Sequence, residues 1–179
     1  MAAGHSWQFT PSEVTFLSLL DLSAAFDTVD YDILIDRLYH SFGFRDQVLL
    51  WITSFITGHT QRVRVGSQYS TYSEVHYGVS QWSVLGPILF LLYTADVLLI
   101  AARHGVGAHS YADDTQLYLH TTADKAVFPR LASCIEDIGL WMSSNRLKLN
   151  AKKTQFTCLG THYQLAKIDS SNLLVMSTA

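Results

Sequence analysis

The chain is short of the residues that staple or punctuate a fold. Its 179 residues include 2 cysteines, 3 prolines and 10 glycines. Two cysteines, Cys134 and Cys158, cannot build a disulfide framework or a four-ligand zinc site, so they are expected as buried free thiols of a reducing compartment. So little proline and glycine excludes collagen and a low-complexity linker. Charged residues are also scarce, at 15% against 49% hydrophobic, which excludes a disordered acidic or basic tail and leaves material for a real core. The length fits one domain. Excess positive charge is missing too: the formal net charge is −3, whereas a stand-alone nucleic-acid binder is usually basic. The opening MAAGHSWQFT lacks a basic start followed by an apolar run, so no export signal is expected and an intracellular place, cytoplasm or nucleus, is.

One long hydrophobic run is present. Val84 to Ala102 reads VLGPILFLLYTADVLLIAA, about the length of a spanning helix. Asp96 lies well inside it, where a charge costs roughly 2.5–3.5 kcal/mol on insertion. Gly86-Pro87 breaks its start. A buried helix of a soluble fold, with no membrane, is the expectation. Charge is uneven as well. Residues 1–124 carry 5 basic and 12 acidic groups, and residues 125–179 carry 7 basic and 3 acidic. An acidic body with a basic end suits carboxylates gathered round a metal, with phosphate contacts elsewhere.

The periodicity predicts an α+β order. VTFLSLLDL (residues 14–22) suits a buried strand. Asp30 is placed to cap a helix from Tyr31, with Ile33, Leu34, Leu38 and Phe42 on one face and Gly43 as its stop. A second helix fits Asp46 to Thr57, with Val48, Leu49, Ile52, Phe55 and Ile56 inward. Gln61 to Val65 alternates as a half-exposed strand, and Gly66-Ser67 turns into a strand from Tyr69 to Val75. A loop over Gly78 to Gly86 leads into one apolar helix at about 87–103. His109 to Leu119 reads as a hairpin with Ala112-Asp113-Asp114 at its tip. A helix from about Asp124 to Ser144 should start near Phe128 or kink there, because Pro129 falls inside it. Asn145 is a plausible left-handed stop. A turn at Asn150 to Lys153 and a strand over Gln155 to Leu159 follow, and residues 161–179 look frayed.

Two features carry chemistry. Asp21 ends an apolar strand, and Asp113-Asp114 sits at a hairpin tip. Asp-Asp is ordinary turn chemistry. If the two strands are neighbours, however, three carboxylates converge, and such a cluster takes up a proton or a metal. All-oxygen donors favour Mg²⁺ or Mn²⁺, and a pair of such ions about 3.5–4 Å apart serves in-line phosphoryl displacement.

The residues around these carboxylates resemble a known family. Leu19-Leu20-Asp21-Leu22-Ser23-Ala24-Ala25-Phe26-Asp27-Thr28-Val29-Asp30 resembles the first palm motif of reverse transcriptases of LINE-type (non-LTR) retrotransposons. Tyr111-Ala112-Asp113-Asp114 resembles their Y-x-D-D motif. Gly78-Val79-Ser80-Gln81-Trp82-Ser83-Val84-Leu85-Gly86-Pro87-Ile88-Leu89-Phe90 resembles the second motif. Trp141 through Asn145, Leu147-Lys148-Leu149-Asn150 and Lys153-Thr154 resemble the stretch ending in the lysine-bearing motif. The four blocks stand in order and cover about residues 12–160.

The resemblance implies a polymerase palm, an antiparallel sheet backed by helices, over 12–160, with 1–11 an N-terminal extension and 161–179 a tail. It implies RNA-directed DNA polymerisation, in which dNTPs are added to the 3′-hydroxyl of a DNA primer on an RNA template. Asp21, Asp113 and Asp114 would be catalytic and, with the Leu22 carbonyl, would hold two Mg²⁺ or Mn²⁺ ions. Phe26 would stand under the nucleotide sugar and exclude a ribose 2′-hydroxyl; read from the residues alone it is equally a core phenylalanine starting a helix. Gln81 would contact nucleotide or template, or is a loop amide. Lys153 would protonate pyrophosphate, or is a solvated turn lysine.

The sequence also departs from the family. Trp82 stands where the family has glycine, and an indole there is expected to occupy nucleotide or template space. Ser80 replaces a proline and Tyr31 a histidine. Fingers and thumb are expected to be largely missing, leaving weak nucleic-acid binding and weak or no polymerisation by this chain alone. The competing expectation is a non-catalytic, retrotransposon-derived remnant or protein-interaction fragment.

Overall fold

The computed structural model describes residues 13–80, 82–122, 127–166 and 168. The expected extension, the Asp124 start of the last long helix, Gln81 and nearly all of the tail beyond 166 lie outside the described residues. Strand β1 (Glu13–Leu20) runs into a loop holding a 3₁₀ turn (Phe26–Thr28), then helices α1 (Tyr31–His40) and α2 (Asp46–Ile56). Four two-residue strands follow: β2 (Thr60–Gln61), β3 (Arg64–Val65), β4 (Gln68–Tyr69) and β5 (Ser73–Glu74). Next come α3 (Gly86–Thr94), α4 (Asp96–Arg103), the hairpin strands β6 (Gly107–Tyr111) and β7 (Asp114–Thr122), and α5 (Val127–Ser144). Strand β8 (Gln155–Leu159) and a short α6 (His162–Leu165) complete the order.

The main sheet has four antiparallel strands in the order β6-β7-β1-β8. Strand β1 was expected to be buried throughout. Instead it alternates, with Val14, Phe16, Ser18 and Leu20 inward and Leu17 and Leu19 half-buried. The helices cover one face only, so the period of two shows through an apolar run. That inner face joins Leu117 and Leu119 of β7 to Phe90 and Tyr93 of α3, Ile100 of α4, and Leu131, Ile138 and Met142 of α5 in one core. Phe16 meets Phe128 edge-on, ring centroids 5.2 Å apart.

Capping proceeds largely as the side chains dictate. The Asp30 carboxylate accepts from the Asp32 and Ile33 amides at 3.0 and 3.2 Å, closing the start of α1. Its other oxygen pairs with Arg146 at 2.6 Å. Pro129 falls in the first turn of α5, where its missing N–H costs nothing, so no kink is needed. Asn145 is not the left-handed residue: Arg146 is, at φ +58°. Asn145 is held back because its amide is used elsewhere, accepting from Arg37 at 2.9 Å and donating to the Trp141 carbonyl at 2.7 Å. Arg37 also donates to Asp96 at 2.6 Å and lies over the Trp141 ring. One guanidinium thus ties α1 to α4 and to the end of α5.

Four further expectations are corrected. The single helix at 87–103 divides at Ala95 into α3 and α4; its length and composition would let it cross a membrane, yet Leu89, Phe90, Tyr93, Val97 and Ile100 are core residues. Phe42 lies beyond the last turn of α1 and is exposed, as is Val48 on the outer side of α2. Gln61 to Val65 is exposed on both faces, since nothing covers that hairpin. Finally, the start of the tail is not frayed: Thr161 caps α6 through the Gln164 amide, and α6 lies beside β1.

Candidate active site at the end of the central strand

Asp21 follows the last residue of β1, where the pairing partner changes. The Leu22–Leu149 bridge is closed by flanking groups: the Asn150 amide donates to the Asp21 carbonyl at 2.8 Å and the Ser23 amide to the Lys148 carbonyl at 2.9 Å. The bridge therefore leaves the Leu22 carbonyl unspent. It also draws the turn after Leu149 beside β1 and sets Lys153 Nζ 3.7 Å from Asp21 Oδ2. That oxygen is buried and has no hydrogen-bond partner among the described residues. A buried carboxylate oxygen left without a donor is costly unless a cation serves it.

The second acidic element is a two-residue hairpin turn. Tyr111 and Asp114 close the ladder, leaving Ala112 and Asp113 at the tip, with Ala112 at φ +53°. A positive φ at the first central residue is the twist a right-handed hairpin needs, and glycine normally provides it. An alanine held there carries strain of about 1–3 kcal/mol, and such strain gathers at functional sites. Ala24, three residues past Asp21, is held likewise at φ +50°.

The β1–β7 register pairs Leu20 with Thr115, so the next step sets Asp21 across from Asp114. The expected neighbouring of the strands is present, but full convergence of the three carboxylates is not. Among the described residues no three acidic, histidine or cysteine side chains approach closely enough to hold one ion.

The second motif docks on the first through its backbone. The Val79 amide donates to the Phe26 carbonyl at 2.8 Å and the Gly78 amide to the Val29 carbonyl at 2.8 Å. Gly78 sits at φ +95°, and a Cβ there would meet the Asp27 backbone at 3.1 Å. Gly86 is equally constrained, since its Cβ would lie 2.2 Å from the Ser80 carbonyl. Phe26 itself is only 5% exposed, its ring packed on Phe90 with centroids 4.9 Å apart. It is a buried residue at the start of the 3₁₀ turn.

Beside this junction lies a cleft of about 580 Å³, walled by Tyr31, Phe55, His59, Tyr77 and Ser80. Burial raises the Tyr31 hydroxyl above its ordinary pKa, so it is a neutral donor there. Sequence inspection missed this cleft, because its walls come from α2, the hairpin base and the second motif; only the chain path brings them together. Trp82 was expected to fill substrate space. Its indole is 96% exposed and lines the edge of the cleft.

Residues 4–173 match the family described as "Reverse transcriptase (RNA-dependent DNA polymerase)". The chain belongs to the reverse transcriptase family. Its relatives include the probable RNA-directed DNA polymerase from transposon BS of Drosophila melanogaster, 29% identical over 84% of this chain and 17% of that protein. They also include the RNA-directed DNA polymerase from mobile element jockey of Drosophila melanogaster, 27% identical over 76% of this chain and 15% of that one. The LINE-type resemblance is thereby borne out. The chain spans less than a fifth of either relative. Among solved structures, apo telomerase from Candida tropicalis superposes with a TM-score of 0.60 at 16% identity, over 83% of this chain and 31% of that one. Telomerase from Candida albicans, in complex with a fragment of telomeric RNA, gives 0.60 at 14% identity, over 80% and 27%. The shared fold is part of a polymerase palm, an antiparallel sheet backed by helices. Reverse transcriptases use divalent metal ions, and the donors here are hard oxygens that suit Mg²⁺ or Mn²⁺, including Asp21 Oδ2, which has no hydrogen-bond donor among the described residues and has Lys153 Nζ 3.7 Å away.

Proposed function

We propose that this chain is the palm segment, over residues 12–160, of an RNA-directed DNA polymerase that adds dNTPs to a DNA primer on an RNA template. The observation that carries the reading is the pairing of β1 with β7, which sets Asp21 across from the Asp113-Asp114 turn at one end of the sheet. Asp21, Asp113 and Asp114 are the catalytic carboxylates that would hold two ions, with the unspent Leu22 carbonyl as a further ligand. When bound, such ions stabilise the attacking and leaving oxygens of an in-line displacement.

The remaining roles fall to the chain's own groups. The primer 3′-hydroxyl gives its proton to solvent and attacks the α-phosphorus of the dNTP, a new P–O bond forms, and the bond to pyrophosphate breaks. Lys153, whose Nζ lies 3.7 Å from Asp21 Oδ2, would give a proton to the departing pyrophosphate. Phe26 would stand under the nucleotide sugar and exclude a 2′-hydroxyl by contact. Gln81, from the loop that docks on Phe26, contacts nucleotide or template. Binding by this chain alone is weak, because phosphate contacts dominate affinity and the palm is acidic.

Primer extension with Mg²⁺, dNTPs and an RNA template tests the assignment, together with Mn²⁺ uptake read by electron paramagnetic resonance. Expected is Mn²⁺ binding that falls at least tenfold in Asp21→Asn and in Asp113→Asn with Asp114→Asn, and any extension lost with it. Extension or Mn²⁺ binding that survives these substitutions would sink the reading. Trp82→Gly is expected to raise extension by opening the cleft rim.

A further inference from the structure

Residues 60–74 form a nested hairpin that leaves the body of the molecule. Thr60 pairs with Glu74 and Gln61 with Ser73 at its base, and Arg64 with Tyr69 and Val65 with Gln68 near its tip. Every residue from 60 to 74 is exposed. An isolated two-stranded hairpin is marginal in water and normally survives by packing one face. This one packs neither, so its side chains are free to serve something outside the fold.

Its composition is selective. Between Thr60 and Ser73 the sequence is TQRVRVGSQYSTYS, with two arginines and two tyrosines, and the one acidic residue of the hairpin, Glu74, lies at its base. The surrounding half of the chain is acidic, so this is a local reversal of charge. The arginines and tyrosines share one face. The Arg62 guanidinium lies 4.0 Å from the Tyr69 ring centroid and 5.1 Å from that of Tyr72, and Arg64 lies 5.5 Å from Tyr69. Neither arginine has a carboxylate partner among the described residues; Arg64 donates only to the Gly66 carbonyl, at 2.8 Å. Stacking on a ring holds a guanidinium plane while leaving its N–H edge free. The rings remain open as well, with Tyr72 66% exposed.

Planar cations with a free donor edge, beside open aromatic faces and hydroxyls, match one chemistry: a polyanion whose bases are unstacked. We propose that the hairpin 60–74 is an arm that grips single-stranded nucleic acid, Arg62 and Arg64 on phosphates and Tyr69 and Tyr72 under bases. The proposal extends the polymerase reading by naming where a strand is held, and it requires no catalysis. Ser67 and Gln68 add short polar contacts at the tip. A phosphate contact carries no sequence information and a ring accepts any base, so the arm binds without sequence preference.

The test is fluorescence anisotropy of the full chain with a labelled 12-nucleotide RNA, and the same sequence as DNA and as duplex, from roughly 50 to 200 mM salt. The wild type is expected to bind both single strands better than the duplex. R62A with R64A should weaken binding at least tenfold and flatten the salt slope by about 1.4, since each lost phosphate contact removes about 0.7 for a single strand. Y69L with Y72L should weaken binding about fivefold or more while leaving the salt slope unchanged. R62K with R64K keeps the charge and should retain the slope with reduced affinity. V63T with V65T, on the other face, should change nothing. Equal affinity of wild type and R62A/R64A, or no binding by the wild type, overturns the proposal, as does loss confined to V63T/V65T, which marks a protein-docking face instead. Mn²⁺ uptake is read on the same wild-type chain. Lost Mn²⁺ uptake with intact strand binding therefore separates a failure at the carboxylates from a failure of the arm.

Discussion

The sheet with its helices and the hairpin 60–74 obey different rules although both are built from β-strands. In the sheet, β1 and β7 alternate with the pleat and put Phe16, Leu20, Leu117 and Leu119 against the helices. In the hairpin, Val63 and Val65 alternate with arginines just as regularly, yet Val65 is 75% exposed. Alternation predicts which residues share a face, but only a partner surface makes that face a core. Conserving shape in the first region is a matter of volume; in the second it is a matter of which ligand the face meets.

Three perturbations sharpen this contrast. The largest effect belongs to the core: Ile138→Ala, at a fully buried position of α5, should cost about 2–5 kcal/mol in urea unfolding. A loss below 1 kcal/mol, on the order of a surface change, would show that α5 is not packed as described. The second uses pH. Burial, with the Asp137 carboxylate adding to it, pushes the Cys134 thiol up to about 11 from an ordinary value of 9.0. The folded state therefore holds its proton more tightly than the unfolded chain. This contribution is fully present below pH 9, and stability falls as pH rises from there toward 11. Thermal melts of wild type and Cys134→Ala across that window should show the decline in the first and a shallower one in the second; parallel curves would refute it. The smallest effect belongs to the hairpin: Val65→Thr should leave stability within about 0.5 kcal/mol. A loss above about 1.5 kcal/mol would mean that this face is packed after all.

Much of the fold was legible because local chemistry and tertiary demand agree. Asp30 caps α1 as its carboxylate and the following apolar spacing require, and Pro129 lies where a helix tolerates it. Where they disagree, tertiary contacts win. Asn145 has the side chain for a left-handed stop, yet its amide is claimed by Arg37 and Trp141, and Arg146 takes the strained backbone. The long apolar helix divides at Ala95, just before Asp96 meets Arg37. Phe42 is apolar and correctly spaced, but the helix ends before it.

The candidate site divides in the same way. Asp21, Asp113 and Asp114 are visible in the sequence because a carboxylate after an apolar strand or at a hairpin tip is chemically marked. Their shared end of the sheet is a consequence of the β1–β7 register, which no local pattern specifies. Lys153 reads as a turn lysine until the Leu22–Leu149 bridge lays its turn beside Asp21.

The sequence alone therefore determined most element types, the Asp30 cap and the identity of the chemical groups, since these depend on neighbours within a few residues. Only the tertiary structure decided which face of β1 is covered, that Phe26 packs on Phe90, that the acidic turn lies across from Asp21, and that residues 60–74 stand free. Those outcomes depend on pairings between residues tens of positions apart. Burial, pairing register and strain at Ala112 are properties of the assembled chain, and no short window of sequence contains them.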